Sequence, residues 1–191
     1  MTPQLVIFAK LPRAGAVKTR LARDVGWGRA LQFYRHNLRA LIDTLAPDAR
    51  WHTSVAISPD RAVGPQPVWN HPGVTLVPQG AGDLGARMDR VMQTRPPGPV
   101  VIVGSDIVGI TRADIADAFA RLGEADVVFG PAPDGGYWLV GLKRRPHVPC
   151  AFEGVRWSAS TTLADTLENL AGFKIAMLGK KRDVDEGRDL G

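Results

Sequence analysis

The hydrophobic pattern switches period repeatedly along the chain. Short apolar runs at residues 4–9 (QLVIFA), His52–Ser58, Val74–Pro78, Val100–Gly104, Val127–Pro131, Tyr137–Leu142 and 173–178 have the length and composition of strands. Between them, apolar residues recur three and four apart. Leu31, Tyr34, Leu38, Leu41, Ile42 and Leu45 do so over residues 28–46, and Pro47 stops the helix they predict. Leu84–Thr94, a stretch from Thr111 to about Leu122, and residues 160–171 read as further helices, with Thr111 and Asp114 at capping-box spacing. The run VVIVG at Val100–Gly104 has no polar alternation, as expected of a central strand covered on both faces. Residues 10–17 and 59–73 carry proline and glycine and read as loops.

Strands alternating with helices predict an α/β fold, a mostly parallel mixed sheet with helices on both faces. The Asp-Gly-Gly at 134–136 is too tight for a crossover, so one strand pair should break the parallel pattern. No linker divides the 191 residues, and a single domain over 1–191 is expected. In such sheets ligands sit beyond the carboxyl ends of the strands. That edge should gather the loop after Ala9, the segment after Pro78 and the pair Ser105-Asp106.

Charge sharpens this picture. The net charge is +5, but residues 1–50 hold nine Lys/Arg against three Asp/Glu, a surplus of +6. The remaining 141 residues therefore sum to −1. A cationic end points to an anionic ligand, although Arg29, Arg35 and Arg39 also fit a solvated helix face. No basic run is interleaved with aromatics, so nucleic acid is not the expected partner. No apolar run approaches the roughly 18 residues of a membrane span. A single cysteine, Cys150, cannot form an internal disulfide. These features lead to the expectation of a cytoplasmic protein that does not engage membranes.

Five segments could carry chemistry. The first, FAKLPRAGAVKTRL at 8–21, places Lys10, Arg13, Lys18 and Arg20 around Gly15 after a strand, a composition suited to phosphate oxygens. It is not a Walker loop, because Pro12 and Val17 occupy both glycine positions. The second, QGAGDLGARM at 79–88, meets G-x-G-x-x-G through Gly80, Gly82 and Gly85, yet also reads as a turn into a helix capped by Asp83. The third ends in Asp106, a carboxylate just past a buried strand and suited to Mg²⁺ or Mn²⁺ beside phosphates. The fourth is PAPDGGYWLVGL at 131–142, and the fifth, RDVDEGRDL at 182–190, sets Asp183 and Asp185 two apart. His36, His52, His71 and His147 lack metal-ligand spacing, and Ser105 lacks a nucleophile elbow.

In this order the five segments resemble a bacterial family of small proteins with the GT-A (Rossmann-like, nucleotide-diphospho-sugar transferase) fold, commonly labelled glycosyltransferase. They are more distantly similar to 2-phospholactate guanylyltransferase and the molybdenum cofactor guanylyltransferase. The resemblance implies a three-layer αβα sandwich and a metal-dependent transferase acting on a nucleotide-activated donor. It implies that Lys10, Gly15, Lys18 and Arg20 cradle the nucleotide phosphates, and that Gln79, Gly80, Gly82 and Arg87 shape the rest of the nucleotide site. Asp106 would hold Mg²⁺ or Mn²⁺, with Asp183 and Asp185 completing that site. Asp134, Gly135, Gly136 and Tyr137 would face the second substrate, and Lys18 and Asp106 would be catalytic.

The donor would be a nucleotide sugar or a nucleoside triphosphate, and the acceptor an unidentified small molecule. Three alternatives stay open. Nucleotidyl transfer would release pyrophosphate. A non-catalytic nucleotide-binding relative is motivated by Val108, where the family usually has proline, and by Ala159, where it has threonine. An NAD-dependent oxidoreductase would use Gly80, Gly82 and Gly85.

Overall fold

In the computed structural model, which describes residues 1–144, 148–184 and 187, the elements follow the expected alternation. The strands are β1 (Gln4–Lys10), β2 (His52–Ser58), β3 (Val74–Pro78), β4 (Val100–Gly104), β5 (Val127–Pro131), β6 (Tyr137–Leu142) and β7 (Ile175–Met177). The helices are α1 (Thr19–Val25), α2 (Trp27–Leu45), α3 (Leu84–Thr94), α4 (Arg112–Glu124) and α5 (Thr162–Glu168). All seven strands form one sheet in the order β3-β2-β1-β4-β6-β5-β7. β6 runs antiparallel to both β4 and β5, and every other pair is parallel. The tight turn at 134–136 therefore marks the reversal, as its length requires.

Side-chain alternation divides the core into two layers. Leu5, Ile7 and Ala9 of β1 and Val101 and Val103 of β4 pack against Tyr34, Leu38, Ile42 and Leu45 of α2 and Ile115 and Ala118 of α4. Val6, Val100 and Ile102 face the other way, onto Met88, Val91 and Met92 of α3. With Leu163 and Leu167 of α5 on that second face, the arrangement is an αβα sandwich. Each fully buried Leu or Ile contributes about 1.5–3 kcal/mol of transfer free energy. The strongly periodic face of α2 is thus the largest helical contribution to the core.

Local chemistry sets the helix ends. Asp83 caps α3 by accepting from the Ala86 amide at 2.8 Å. Thr111 and Asp114 form the reciprocal box that starts α4. At the far end of α3, the Arg144 guanidinium donates to the carbonyls of Met92, Arg95, Pro96 and Gly98. These satisfy acceptors that a helix end leaves open.

Three elements depart from the pattern read in the sequence. α1 has no counterpart there. α5 is shorter than residues 160–171, and β7 shorter than 173–178. Among the described residues, no helix is long and apolar enough to cross a membrane.

Candidate active site at the carboxyl ends of the strands

β1 and β4 are adjacent and in register, with Phe8 opposite Gly104. Their following loops therefore leave the sheet side by side. β1 ends at Lys10, whose own side chain is exposed. The next seven residues turn through Gly15 at φ 80° and reach Lys18. Lys18 has φ 48° and ψ 46° and precedes the first turn of α1. This left-handed conformation costs a lysine about 1–2 kcal/mol and is imposed by the surrounding structure. It buries the side chain to 2% exposure and sets Nζ 3.5 Å from Oδ1 of Asp106, itself 55% exposed. Residues 88 apart in sequence thus converge on one edge. Arg20, two residues on in α1, is exposed.

α2 holds the Asp106 segment from below. The Tyr34 hydroxyl accepts from the Lys10 amide at 2.9 Å, lies 3.1 Å from the Lys10 carbonyl oxygen, and is 3.1 Å from Ser105 Oγ. One turn on, Asn37 Nδ2 donates to the carbonyls of Ser105 and Ile107. Burial, with the nearby Asp106 charge, pushes the Tyr34 phenol up to about 12. Tyr34 and Asn37 are the part of the candidate site that sequence reasoning missed. The available signal was an asparagine three residues after a tyrosine on an otherwise apolar helix face. From the other side, Ile107 forms an antiparallel bridge with Asp183. Lys181 reaches Asp114 at 3.0 Å and the Gly109 carbonyl at 3.1 Å, fixing the segment beyond.

The glycine-rich segment after β3 is built largely by its own side chains. Gln79 is buried, and its Nε2 donates to the carbonyls of Ala9 and Ala56, tying the ends of β1 and β2. The Gly80 amide donates to Asp60, and a Cβ at Gly80 would lie 2.3 Å from Arg90 Nη1. Arg90 donates to the carbonyls of Gln79 and Ala81, and Arg87 to Gly82 O and Ser58 Oγ. A Cβ at Gly85 would meet Phe152 O and the Trp157 ring, both at 2.8 Å. Close packing onto residues 152–157 therefore accounts for the third glycine of the apparent dinucleotide motif.

On the opposite side, the 134–136 turn docks against the approach to α5. Gly135 has φ 87°, its carbonyl accepts from Leu163 N, and a Cβ would lie 2.0 Å from Ser160 O. Asp134 Oδ1 accepts from the Gly136 amide at 3.0 Å. Arg156 clamps Asp165 through its backbone amide and its guanidinium, which holds that carboxyl down at about 2. Ser158 sits between them at φ 59°. The result is a cleft of about 220 Å³ lined by Asp106, Asp134, Asp183, Tyr137, Trp138 and Trp157, among others.

Of the residues singled out in the sequence, Asp106, Asp134, Gly136, Tyr137 and Asp183 meet at this cleft, and Lys18 is bonded to its Asp106. Gln79, Gly80, Gly82 and Arg87 lie two strands away, joined to β1 through Gln79. Asp185 lies outside the described residues.

Among the described residues, no group of three His, Cys, Asp or Glu is placed to share a cation. Asp106 and Asp183 do line one cleft, with Asp134 also on its wall. That set fits Mg²⁺ or Mn²⁺, which commonly uses one or two carboxylates with substrate phosphates and water.

A family model described as "Uncharacterized protein conserved in bacteria (DUF2064)" matches residues 41–159. The chain belongs to this family. The matched residues contain the glycine-rich segment, Ser105-Asp106 and the 134–136 turn, and begin after the opening loop.

A crystal structure from Desulfovibrio desulfuricans G20, described as a "putative nucleotide-diphospho-sugar transferase", is 30% identical. It has a TM-score of 0.88, covering 100% of this DUF2064 chain and 85% of that one. The fold is also shared with 4-diphosphocytidyl-2C-methyl-D-erythritol synthase from Anaerococcus prevotii DSM 20548 (TM-score 0.64, 10% identity, 99% of this chain and 94% of that). A third example is glucosyl-3-phosphoglycerate synthase from Mycobacterium tuberculosis, solved with Mn²⁺, UDP-glucose and phosphoglyceric acid (TM-score 0.62, 13% identity, 99% and 74%). No curated protein matches the chain. The resemblance and the α/β GT-A fold expected from the sequence are borne out.

Proposed function

We propose that this chain, acting as one nucleotide-diphospho-sugar transferase-like domain, is a metal-dependent transferase using a nucleotide-activated donor, with glycosyl transfer the favoured reaction. The observation that carries the reading is the ion pair of buried Lys18 with Asp106 at the mouth of a cleft that also holds Asp134 and Asp183. A lysine enclosed by protein and an exposed carboxylate suit a polyphosphate and its counter-cation. Asp106 and Asp183 would hold Mg²⁺ or Mn²⁺, which supplies charge stabilisation to the pyrophosphate when bound. Lys18 donates to the phosphate oxygens on which negative charge grows as the leaving group departs. Pre-positioned charge of this kind is worth more in an enclosed site than in water. Lys10, Gly15 and Arg20 complete the phosphate side.

In glycosyl transfer the acceptor oxygen bonds to the anomeric carbon while the carbon–oxygen bond to the nucleoside diphosphate breaks. The electron pair of that bond leaves on the phosphate oxygen. The acceptor proton passes to Asp134, whose carboxylate lines the cleft beside Tyr137. The aromatic walls, Trp138 and Trp157, suit the apolar face of a sugar ring.

A second reading is kept because the lysine-bearing opening loop equally suits a triphosphate, and 4-diphosphocytidyl-2C-methyl-D-erythritol synthase shares the fold. Incubation with UDP- and GDP-sugars or nucleoside triphosphates plus Mn²⁺ separates the two. Nucleoside diphosphate release supports glycosyl transfer. Pyrophosphate release replaces it with nucleotidyl transfer. Neither product with any donor reduces the chain to a nucleotide-binding relative. Asp106→Asn should lower turnover by about 10²–10³-fold, the scale of one lost electrostatic group, with an unchanged far-ultraviolet circular dichroism spectrum.

A further inference from the structure

The arginines of α2 are not absorbed by the cleft at Asp106. Tyr34 and Asn37 occupy the inward face of that helix. Its outward face carries Arg35, His36 and Arg39, and these border a separate cavity of about 450 Å³, twice the volume of the cleft. The two hollows share no lining residue. Leu11, Pro12 and Val68 provide an apolar floor, and no carboxylate lines it.

Both walls are fixed without a ligand. One is the 19-residue helix α2, locked into the core. The other is the loop before β3, anchored by fully buried Trp69, whose indole donates to the Gly64 carbonyl at 2.9 Å. Arg39 staples the walls together, donating from Nη1 to the carbonyls of Pro67 and Asn70 while Nε meets Asp43. Arg35 and His36 differ from it. Neither has an ion-pair or hydrogen-bond partner among the described residues. The basic character continues past Gln32 and His36 into an adjoining hollow that carries Arg29.

We propose that this cavity is a second ligand site, for a small organic anion with an apolar or aromatic body. The floor removes the body from water. Arg35 and His36 receive the anionic group with charge-assisted hydrogen bonds, which are the strong ones. Preformed walls spare the site the ordering cost of binding. The surplus of +6 in the first 50 residues is thereby divided between two anion sites on opposite faces of one helix.

The test uses the full-length chain and amide chemical shifts, with phenyl phosphate, benzoate, inorganic phosphate and benzyl alcohol as probes. Phenyl phosphate should saturably shift Leu11, Gln66, Val68 and the outward residues of α2, more tightly than inorganic phosphate or benzyl alcohol. Benzoate binding the same residues defines a general organic-anion site, and phenyl phosphate alone defines a phosphate-ester site. The double variant R35A/H36A should lose about tenfold or more in affinity with an unchanged thermal midpoint. D106N should bind phenyl phosphate as the wild type does. Equal affinity for benzyl alcohol, shifts confined to the Asp106 cleft, no shifts, or full affinity in the double variant would each overturn the proposal. None of these outcomes depends on whether the cleft transfers sugars.

Discussion

At the residue scale, the candidate site is held by a few side chains whose partners are largely backbone groups. Tyr34 shows the logic. Its hydroxyl meets Lys10 N, Lys10 O and Ser105 Oγ, so the ends of β1 and β4 share one buried oxygen. Tyr34→Phe leaves those groups unmatched and should cost about 1–3 kcal/mol, read by urea denaturation. It should also weaken any metal–nucleotide thermal shift, because Ser105 precedes Asp106. The same burial makes a titration prediction. The chain has two tyrosines, Tyr34 and Tyr137, and burial raises both phenols. At pH 10, where half of free phenols ionise, the folded protein should show almost no tyrosinate absorbance. A raised phenol favours the folded state below the unfolded value of 10.0 and loses that advantage as pH rises towards about 12. Stability should therefore fall across that window, less so in Tyr34→Phe. Substantial tyrosinate in the folded protein at pH 10, lost in Tyr34→Phe, would mean that Tyr34 is not enclosed. Little of this was legible in the sequence. Tyr34 sits at a core position of an amphipathic helix and reads as apolar filling, since periodicity reports which face is buried and not what a hydroxyl meets there.

At the scale of elements, alternation and turn chemistry carried most of the information. β4 read as a central strand because both of its faces are covered, and the 134–136 turn read as a reversal because it is too short to cross over. α1 was illegible for a physical reason. It has seven residues, starts at a left-handed lysine with no side-chain cap, has no acid in its first turn, and buries only Leu21 and Ala22. α5 likewise has no side-chain cap, and the helix read over 160–171 was too wide at both ends. Two glycines test the distinction between required and incidental ones. Gly135→Ala places a methyl 2.0 Å from Ser160 O at φ 87°. It should destabilise by more than about 1–3 kcal/mol, the scale of such backbone strain, and displace the Ser158 wall of the cleft. Gly28→Ala, in the first turn of α2 with nothing within 4 Å of the new methyl, should stabilise by about 0.5–1 kcal/mol. Thermal unfolding of the two variants checks both signs, and equal shifts would contradict the packing described for the 134–136 turn.

At the scale of the whole molecule, the sheet order decides which loops become neighbours. β1 lies at the point where the order turns from β3-β2 to β4-β6, and crevices at such points are where α/β sheets bind ligands. The convergence of the opening loop with Asp106 could be inferred from this rule together with the +6 charge of the first 50 residues. The same rule put the segment after Pro78 at that edge, but it could not show that Gln79, Arg87 and Arg90 turn their polar groups to neighbouring backbone and to Ser58. A ligand bridging Lys18, Asp106 and Asp183 would add to the links that already join three chain segments, among them the Lys18–Asp106 ion pair, the Ile107–Asp183 bridge and the Lys181–Gly109 hydrogen bond. Binding only the folded state also adds to global stability by mass action. Hydrogen exchange with a saturating nucleotide and Mn²⁺ should therefore slow at residues 11–18, 105–109 and 181–184 together. The extra protection should exceed the global increase measured at α4 and vanish in D106N. Protection centred instead on residues 79–87, and unchanged by D106N, would move the nucleotide to the glycine-rich turn and favour the NAD alternative.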